Sequence, residues 1–437
     1  MSKRLLFMIS VLVGLSVLAT ACAPAAPSAP EAAEPEAAAP SAPEAEGFEC
    51  TDTIGCVEIA PGDPVHITFM GALSGATAFL GEDSRGGVEI AIDDRGGELL
   101  GHPIQLTVED STCSAEGGQT AASKVASDPT IIGVIGTNCS SAATAALPTI
   151  SSAGLSMLSP SNTAPALTIE GQTWLPGYYR VCHTDLFQGA VAAEFAYNEL
   201  GARTAATIHD GSPYADQLQQ VMANRFVELG GTVTFQGAVN VGDTDMRAVL
   251  TTVAADSPDV LYFPIFEPEG DFITAQSSDI AGMENTTLIG ADGLLAASFP
   301  ENSGPNSVGM YLSGPYVQGA RYDEFLAKWD AKFGGAPPSG FHAFAYDAAN
   351  MLMDAIVHEA QQDADGTLLI GRQGIRDYLS NIVGYAGLTG SLDCKDKNFP
   401  GVGISHGDCA TGEALGIFEL TEAQLTGEWP PKVVYTP

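Results

Sequence analysis

The sequence predicts an α/β protein made of two doubly wound lobes, each a parallel sheet covered by helices, and three observations carry that prediction. From Val65 onward, short β-branched runs alternate with segments of helical periodicity, the rhythm of repeated βα units. Such units imply parallel strands with helices on both faces. The rhythm yields about ten strands, more than one compact layer usually holds. The chain is also 437 residues long, beyond what a single hydrophobic core commonly supports.

Taken in order, a strand is expected at residues 66–70 and a helix at 86–94, where Val88, Ala91 and Ile92 give one apolar face. A strand at 104–108 leads to a helix at 119–126, and one at 131–135 to a helix at 142–150; strands at 155–158 and 178–181 complete the first series. The second series opens with a helix at 189–200 and a strand at 205–209. A long helix at 214–229 follows, stopped by Gly230-Gly231. Then come a strand at 233–239, a helix at 246–254, a strand at 260–263, a helix at 272–281, and strands at 287–289 and 310–312. In such folds ligands lie beyond the carboxyl ends of the strands, so the loops there are the places to look for a site.

Composition narrows the function. Hydrophobic residues make up 45% of the chain, which excludes a mostly disordered protein. Lys and Arg total 17 against 53 Asp and Glu, a net charge of −36 that repels phosphate backbones and argues against nucleic-acid binding. The excess acid is most simply a solvating surface.

Residues 1–21 are expected to be a lipoprotein signal peptide. Lys3-Arg4 precedes an apolar stretch at 5–18, and the small residues Ala19-Thr20-Ala21 lead to Cys22. The arrangement resembles the bacterial lipobox, with Cys22 as the lipid-modified residue, although Ala19 stands where Leu is usual. Residues 22–63 are expected to form a lipid-anchored Ala/Pro/Glu linker and a disulfide loop; the Ala-, Pro-, Glu- and Ser-rich part has too little to bury and should stay extended. With Cys22 taken by lipid, seven cysteines remain, so at least one is unpaired in an oxidising compartment. Sequence alone does not choose among the pairings. The expected scheme joins Cys50 to Cys56 and Cys394 to Cys409 as local loops and Cys113 to Cys139 across two βα connections, leaving Cys182 free.

The loops after the strands carry the decisive pattern. Gly71-Ala72-Leu73-Ser74-Gly75 follows the first strand and Glu109-Asp110-Ser111-Thr112-Cys113 the second. Gly136-Thr137-Asn138-Cys139-Ser140-Ser141 follows the third and Ser159-Pro160-Ser161-Asn162-Thr163-Ala164-Pro165 the fourth. In this order and spacing, over roughly residues 64–419, the chain resembles the branched-chain amino-acid binding proteins of ABC importers, with the type I periplasmic binding-protein fold.

That resemblance implies a three-strand hinge, crossed near Thr184, Gly314 and Thr411. Lobe 1 would comprise residues 64–183 and 315–410, with helices at 321–333 and 341–359. Lobe 2 would comprise 184–314 and 411–437, including residues 415–419. In the family's leucine-binding branch, cysteines matching Cys113 and Cys139 form a disulfide. The positions matching Ser140, Ser161 and Thr163 hold the ligand carboxylate and part of its ammonium. Tyr214 matches an aromatic residue that touches the ligand, and Phe266 stands where leucine binders carry Tyr. Asp292 matches the acid that pairs with the ammonium but is shorter than the usual Glu, and Leu80 replaces an aromatic residue.

The residues suit that chemistry on their own terms. Ser140, just before a helix, offers a hydroxyl and exposed N–H groups where an anion is favoured. The 161–163 turn offers further hydroxyls and main-chain groups. Glu267, Glu269 and Asp271 crowd a loop, attracting a cationic ligand or facing solvent.

Enzyme readings find little to stand on. No G-x-S-x-G nucleophile elbow is expected. His358-Glu359 lacks the second His of a zinc-protease motif, and Gly401-Val402-Gly403 has no preceding strand. Asp393, Asp396 and Asn398 depart from a calcium-loop register. The expectation is a protein that is not an enzyme, with no catalytic residue, cofactor or metal. It would be a monomeric solute-binding lipoprotein on the outer face of the membrane, delivering an amino acid or related small amine to an ABC permease. The alternative is a tethered sensor of the same fold that presents its closed form to a signalling partner.

Overall fold

The computed structural model describes residues 49–412 and 414–437; the signal peptide, Cys22 and the linker up to residue 48 lie outside the described residues. Two parallel sheets organise the chain. The first contains β1 (Val65–Gly71), β2 (His102–Asp110), β3 (Ile131–Gly136), β4 (Ser156–Ser159) and β5 (Tyr178–Arg180), in the order β2-β1-β3-β4-β5. These five pair in parallel, with a two-residue antiparallel strand at the β2 edge. Helices α1 (Ala78–Asp94), α2 (Ala115–Ser127) and α3 (Ser140–Ser152) connect the first four strands.

After β5 the chain enters α4 (Asp185–Glu194), whose start is capped by Thr184, its Oγ1 accepting from Leu186 N–H. Helix α4 packs against α5 (Pro213–Glu228) in the second layer system. That sheet contains β6 (Thr204–His209), β7 (Thr232–Ala238), β8 (Val260–Tyr262), β9 (Thr287–Gly290) and β10 (Tyr311–Pro315), paired in parallel in the order β10-β9-β8-β6-β7. Helices α6 (Arg247–Ala254) and α7 (Glu269–Ser277) cover it. Beyond β10 come α8 (Ala320–Phe333), whose Phe325 and Trp329 pack with Ile90 of α1, and α9 (His342–Glu359), which enters the first core. It then rejoins the second sheet as two antiparallel strands, β11 (Leu415–Glu419) on β10 and β12 (Lys432–Tyr435) on β11.

Each sheet has its own core. Ile67, Phe69 and Val88 pack with Ala348, Leu352 and Ile356 of α9, while Ile208, Leu250, Leu261, Phe263, Leu312 and Phe418 fill the second. Helix α1 begins at Ala78, earlier than the expected 86, because its glycines serve close packing and do not break the helix. A Cβ on Gly87 would lie 2.1 Å from the His342 carbonyl oxygen, and one on Gly81 would lie 1.9 Å from that of Ala72. Helix α4 likewise starts at Asp185, ahead of the expected 189, and passes into a π-helical turn over Phe195–Glu199. Residues 56–59, expected within a disulfide loop, form a strand antiparallel to Leu368–Gly371, with Val57 and Ile59 buried in the first core.

Disulfides join Cys50 to Cys56, Cys113 to Cys139 and Cys394 to Cys409, and Cys182 is the free, buried cysteine among the described residues. Among those residues no helix is long and apolar enough to cross a membrane.

Candidate ligand-binding site

On the first sheet's side, the loops after β3, β4 and β5 converge. Ser140 opens α3 directly after Cys139, which the disulfide fastens to the loop after β2. Its Oγ accepts a hydrogen bond from Ala164 N–H at 3.3 Å. Ser159 Oγ accepts from the N–H groups of Ser161 and Asn162, at 3.2 and 2.9 Å, and so shapes the turn after β4. The Ser161 hydroxyl donates to the Asn138 carbonyl at 3.0 Å and receives Asn138 Nδ2 at 3.2 Å; it braces one loop against the other. Among the described residues, Asn162 Nδ2 and Thr163 Oγ1 are buried without a hydrogen-bond partner.

Arg180, fully buried at the end of β5, holds this turn from beneath. Its guanidinium donates to the carbonyls of Thr163 and Ala164, both at 2.9 Å, to Thr168 Oγ1, and to both carboxylate oxygens of Asp408. All five of its N–H donors are engaged, so Arg180 positions the turn and offers nothing to a ligand.

The second sheet supplies charge and aromatic surface. Asp292 begins a short 3-10 turn after β9 and is 4% exposed. Its Oδ1 accepts from Gln188 Nε2 at 2.6 Å and from the Tyr214 hydroxyl at 3.0 Å. Burial raises its pKa to about 6, against the opposing pull of those two bonds. The Tyr214 hydroxyl also accepts from Gly293 N–H, and its ring lies 4.9 Å from that of Phe266. Leu80 belongs to an apolar cluster with Cys139, Cys182, Phe341 and Phe344, against which Phe266 packs.

A continuous set of contacts therefore links Leu80, Phe266, Tyr214 and Asp292 to Thr163, Ala164 and Ser140. The closing member is Asp185, whose N–H donates to the Thr163 carbonyl at 3.0 Å. Ser161 stands in this set as a brace. Sequence reasoning missed Asp185, Gln188, Arg180 and Tyr262. Asp185 is fully buried, both its carboxylate oxygens lack a hydrogen-bond partner among the described residues, and burial together with the Asp292 charge pushes its pKa well above the usual range. Gln188 is fully buried one helical turn further on, and the Tyr262 hydroxyl at the end of β8 is buried without a hydrogen-bond partner among the described residues. The signal available for Arg180, Tyr262 and Asp185 was position, at or soon after the carboxyl end of a parallel strand; Gln188, inside α4, had none.

Other expectations change. Glu267, Glu269 and Asp271 neither face solvent nor reach the site. Glu267 accepts from Ser298 and Asn302, and Glu269 accepts from Gly242 N–H, so both are engaged within the second sheet's loops. Burial and the neighbouring Glu267 push Asp271 upward. The expectation that the chain lacks a G-x-S-x-G nucleophile elbow is wrong as a matter of spacing, since Gly403-Ile404-Ser405-His406-Gly407 has that pattern. It lies instead on an antiparallel hairpin with Lys397–Phe399, clasped by Cys394–Cys409, with Ser405 fully buried. On that same hairpin Asp396 contacts His406 Nδ1, and Asp393 accepts from Lys395 N–H.

Two parallel sheets whose carboxyl-terminal loops meet at a buried polar site define the class: a two-sheet α/β ligand-binding protein. The chain belongs to the periplasmic binding protein family, whose model matches residues 64–399. It is 26% identical over 323 residues to the Leu/Ile/Val-binding protein of Escherichia coli strain K12, covering 71% of this chain and 85% of that one. It is 30% identical over 237 residues to the Leu/Ile/Val-binding protein BraC3 of Rhizobium johnstonii, covering 54% of this chain and 63% of that relative's length. The crystal structure of a leucine binding protein, LivK from Thermotoga maritima, superposes with a TM-score of 0.73 at 24% identity, over 85% of this chain and 99% of that one. That likeness establishes the type I periplasmic binding-protein fold.

Proposed function

We propose that this protein is an extracytoplasmic solute-binding lipoprotein that captures an amino acid or related small amine between two lobes and delivers it to an ABC permease. The observation that carries the reading is the pair of buried carboxylates, Asp185 and Asp292, set opposite neutral hydroxyl, amide and helix-N-terminal donors. A zwitterion matches that division. Its ammonium pairs with the acids, and its carboxylate meets Ser140, Thr163 and the amino end of α3. The apolar cluster around Leu80 and Phe266 suits an aliphatic or aromatic side chain.

The relatives named for leucine, isoleucine and valine support the same ligand class. The lobes are 64–183 with 315–410, and 184–314 with 411–437, hinged near Thr184, Gly314 and Thr411. The packing of α9 in the first core, and of α8 on α1, supports this division. The lipid anchor is assigned to Cys22; Cys22→Ser should release the protein from the membrane fraction or block processing.

The test is a thermal-shift screen of leucine, isoleucine, valine, other amino acids, amides, polyamines and aromatic acids, since binding the native state raises its melting point. Calorimetry with the strongest ligand then follows. Asp292→Ala should weaken binding by roughly tenfold to a hundredfold, as expected for loss of a charge-assisted hydrogen bond. Unaltered affinity in both Asp292→Ala and Asp292→Asn would remove Asp292 from the site and reopen the case for an anionic ligand. Solution scattering should show compaction with saturating ligand; an unchanged profile counts against hinge closure.

A further inference from the structure

We infer that Gln188 is a positioning residue that aims the Asp292 carboxylate at the ligand and couples it to two of the chain's passages between the sheets. The inference rests on the reading above, in which Asp292 receives the ligand's ammonium. Gln188 Nε2 lies 2.6 Å from Asp292 Oδ1, 3.2 Å from the Ser313 carbonyl oxygen and 3.1 Å from Ser313 Oγ. A carboxylate oxygen and a carbonyl oxygen are acceptors only, so the amide's NH2 end must face them. Its carbonyl end therefore faces His183, whose Nε2 lies 2.7 Å from Gln188 Oε1. That nitrogen must donate.

The tautomer follows. His183 carries its proton on Nε2, and its Nδ1 is a bare acceptor, buried and without a partner among the described residues. Burial also lowers the ring's pKa to about 4, which keeps it neutral. The relay thus has one direction: His183 Nε2–H donates to Gln188, and Gln188 donates to Asp292. The other donor to Asp292, the Tyr214 hydroxyl, lands on the same oxygen, Oδ1. Among the described residues no side chain donates to Oδ2. Two donors on one oxygen fix the plane of the carboxylate and leave the other oxygen for the ammonium.

The partners also matter by position. His183 lies in the segment after β5 and Ser313 on β10, the two stretches through which the chain passes to the second sheet and back. An amide is required for this. A carboxylate at position 188 would face the Asp292 carboxylate, and an apolar side chain would leave both His183 Nε2–H and Asp292 Oδ1 short of a partner.

Two measurements decide it. Nitrogen-15 NMR of the ligand-free protein should show His183 protonated on Nε2, with Gln188→Met shifting the ring toward a tautomer mixture. Calorimetry with L-leucine as the probe compares wild type, Gln188→Met, Asp292→Asn and the double variant, each checked for folding by circular dichroism. Gln188→Met should weaken binding about tenfold, with little further loss in the Asp292→Asn background, because it acts through Asp292. Gln188→Glu should weaken binding more than Gln188→Met.

Wild-type affinity in Gln188→Met overturns the inference, as does an undiminished tenfold loss in the Asp292→Asn background. A His183 protonated on Nδ1 in the wild type also overturns it. If Asp292→Asn alone leaves L-leucine binding unchanged, the placing of the ammonium on Asp292 is what fails, and if L-leucine does not bind the wild type, leucine as the ligand fails. The His183 tautomer then still decides whether the relay exists.

Discussion

On the first sheet's side of the site, the loops are held by a disulfide at Ser140's doorstep and by the buried Arg180–Asp408 pair beneath Thr163. The groups they present are neutral. On the second sheet's side, Asp292 is held by hydrogen bonds from the Gln188 and Tyr214 side chains, and its carboxyl is titratable. The difference separates two jobs. A rigid neutral cradle fixes where a ligand lies, and a titratable acid decides whether a cation is welcome. Damage to the first half should therefore appear mainly as lost stability, and damage to the second as altered affinity and pH dependence.

The largest expected effect is on the cradle. Arg180→Met leaves Asp408 buried and unpaired and removes the donors from two loop carbonyls. Losing one partner of a buried pair costs about 3–5 kcal/mol, readable in urea unfolding. Adding Asp408→Leu should restore most of that stability but not ligand affinity, since the carbonyls of Thr163 and Ala164 still lack their donor. A loss below about 1 kcal/mol in the single variant would erase the contrast between the halves.

Next comes the disulfide. Replacing Cys113 and Cys139 by Ala opens a loop with a sequence separation of 26. The change should lower stability by about 3 kcal/mol, with a smaller effect on affinity than Asp292→Ala.

The acid half should reveal itself through pH. Burial raises the Asp292 pKa from 3.8 to about 6. The folded, ligand-free protein thus holds this proton more tightly than the unfolded chain does. Its contribution to stability is whole below the ordinary value and is lost as pH rises through about 6. Asp347 is shifted in the same direction, also to about 6, so the effect must be read as wild type minus Asp292→Asn. Ligand affinity should run the other way. An ammonium needs ionised carboxylates, so affinity falls as pH drops through about 6, where Asp292 takes up its proton, and Asp185, shifted the same way by burial and the Asp292 charge, adds its own loss. Parallel pH profiles for stability and affinity would blur the division. The smallest effects belong to Thr163→Val and Ser140→Ala, which remove neutral groups at about 1 kcal/mol each in calorimetry.

What the sequence made legible tracks how local each signal is. The strands of both sheets announced themselves by β-branched runs, and the loops after them by Gly, Ser and Asn in order. Arg180 did not, because its meaning depends on Asp408, far along the chain. Asp185 reads as an ordinary acid in the first turn of a capped helix until packing shows it buried, without a partner among the described residues. Gly81 falls outside the expected helix because its reason for existing, the approach of the Ala72 carbonyl, lies elsewhere in the molecule.

The order of β10 and β11 bears on how the chain comes off the ribosome. Strand β11 lies at residues 415–419, yet it covers the edge of β10 at residues 311–315, with all of α8 and α9 made in between. While those helices are being synthesised, β10 presents an open row of backbone donors and acceptors, the kind of edge that recruits strands from other chains. The first sheet's strands are finished by residue 180, but their covering helix α9 also arrives late. Neither half is self-sufficient at birth, so holding the nascent chain apart from its copies matters most before the final strand is made.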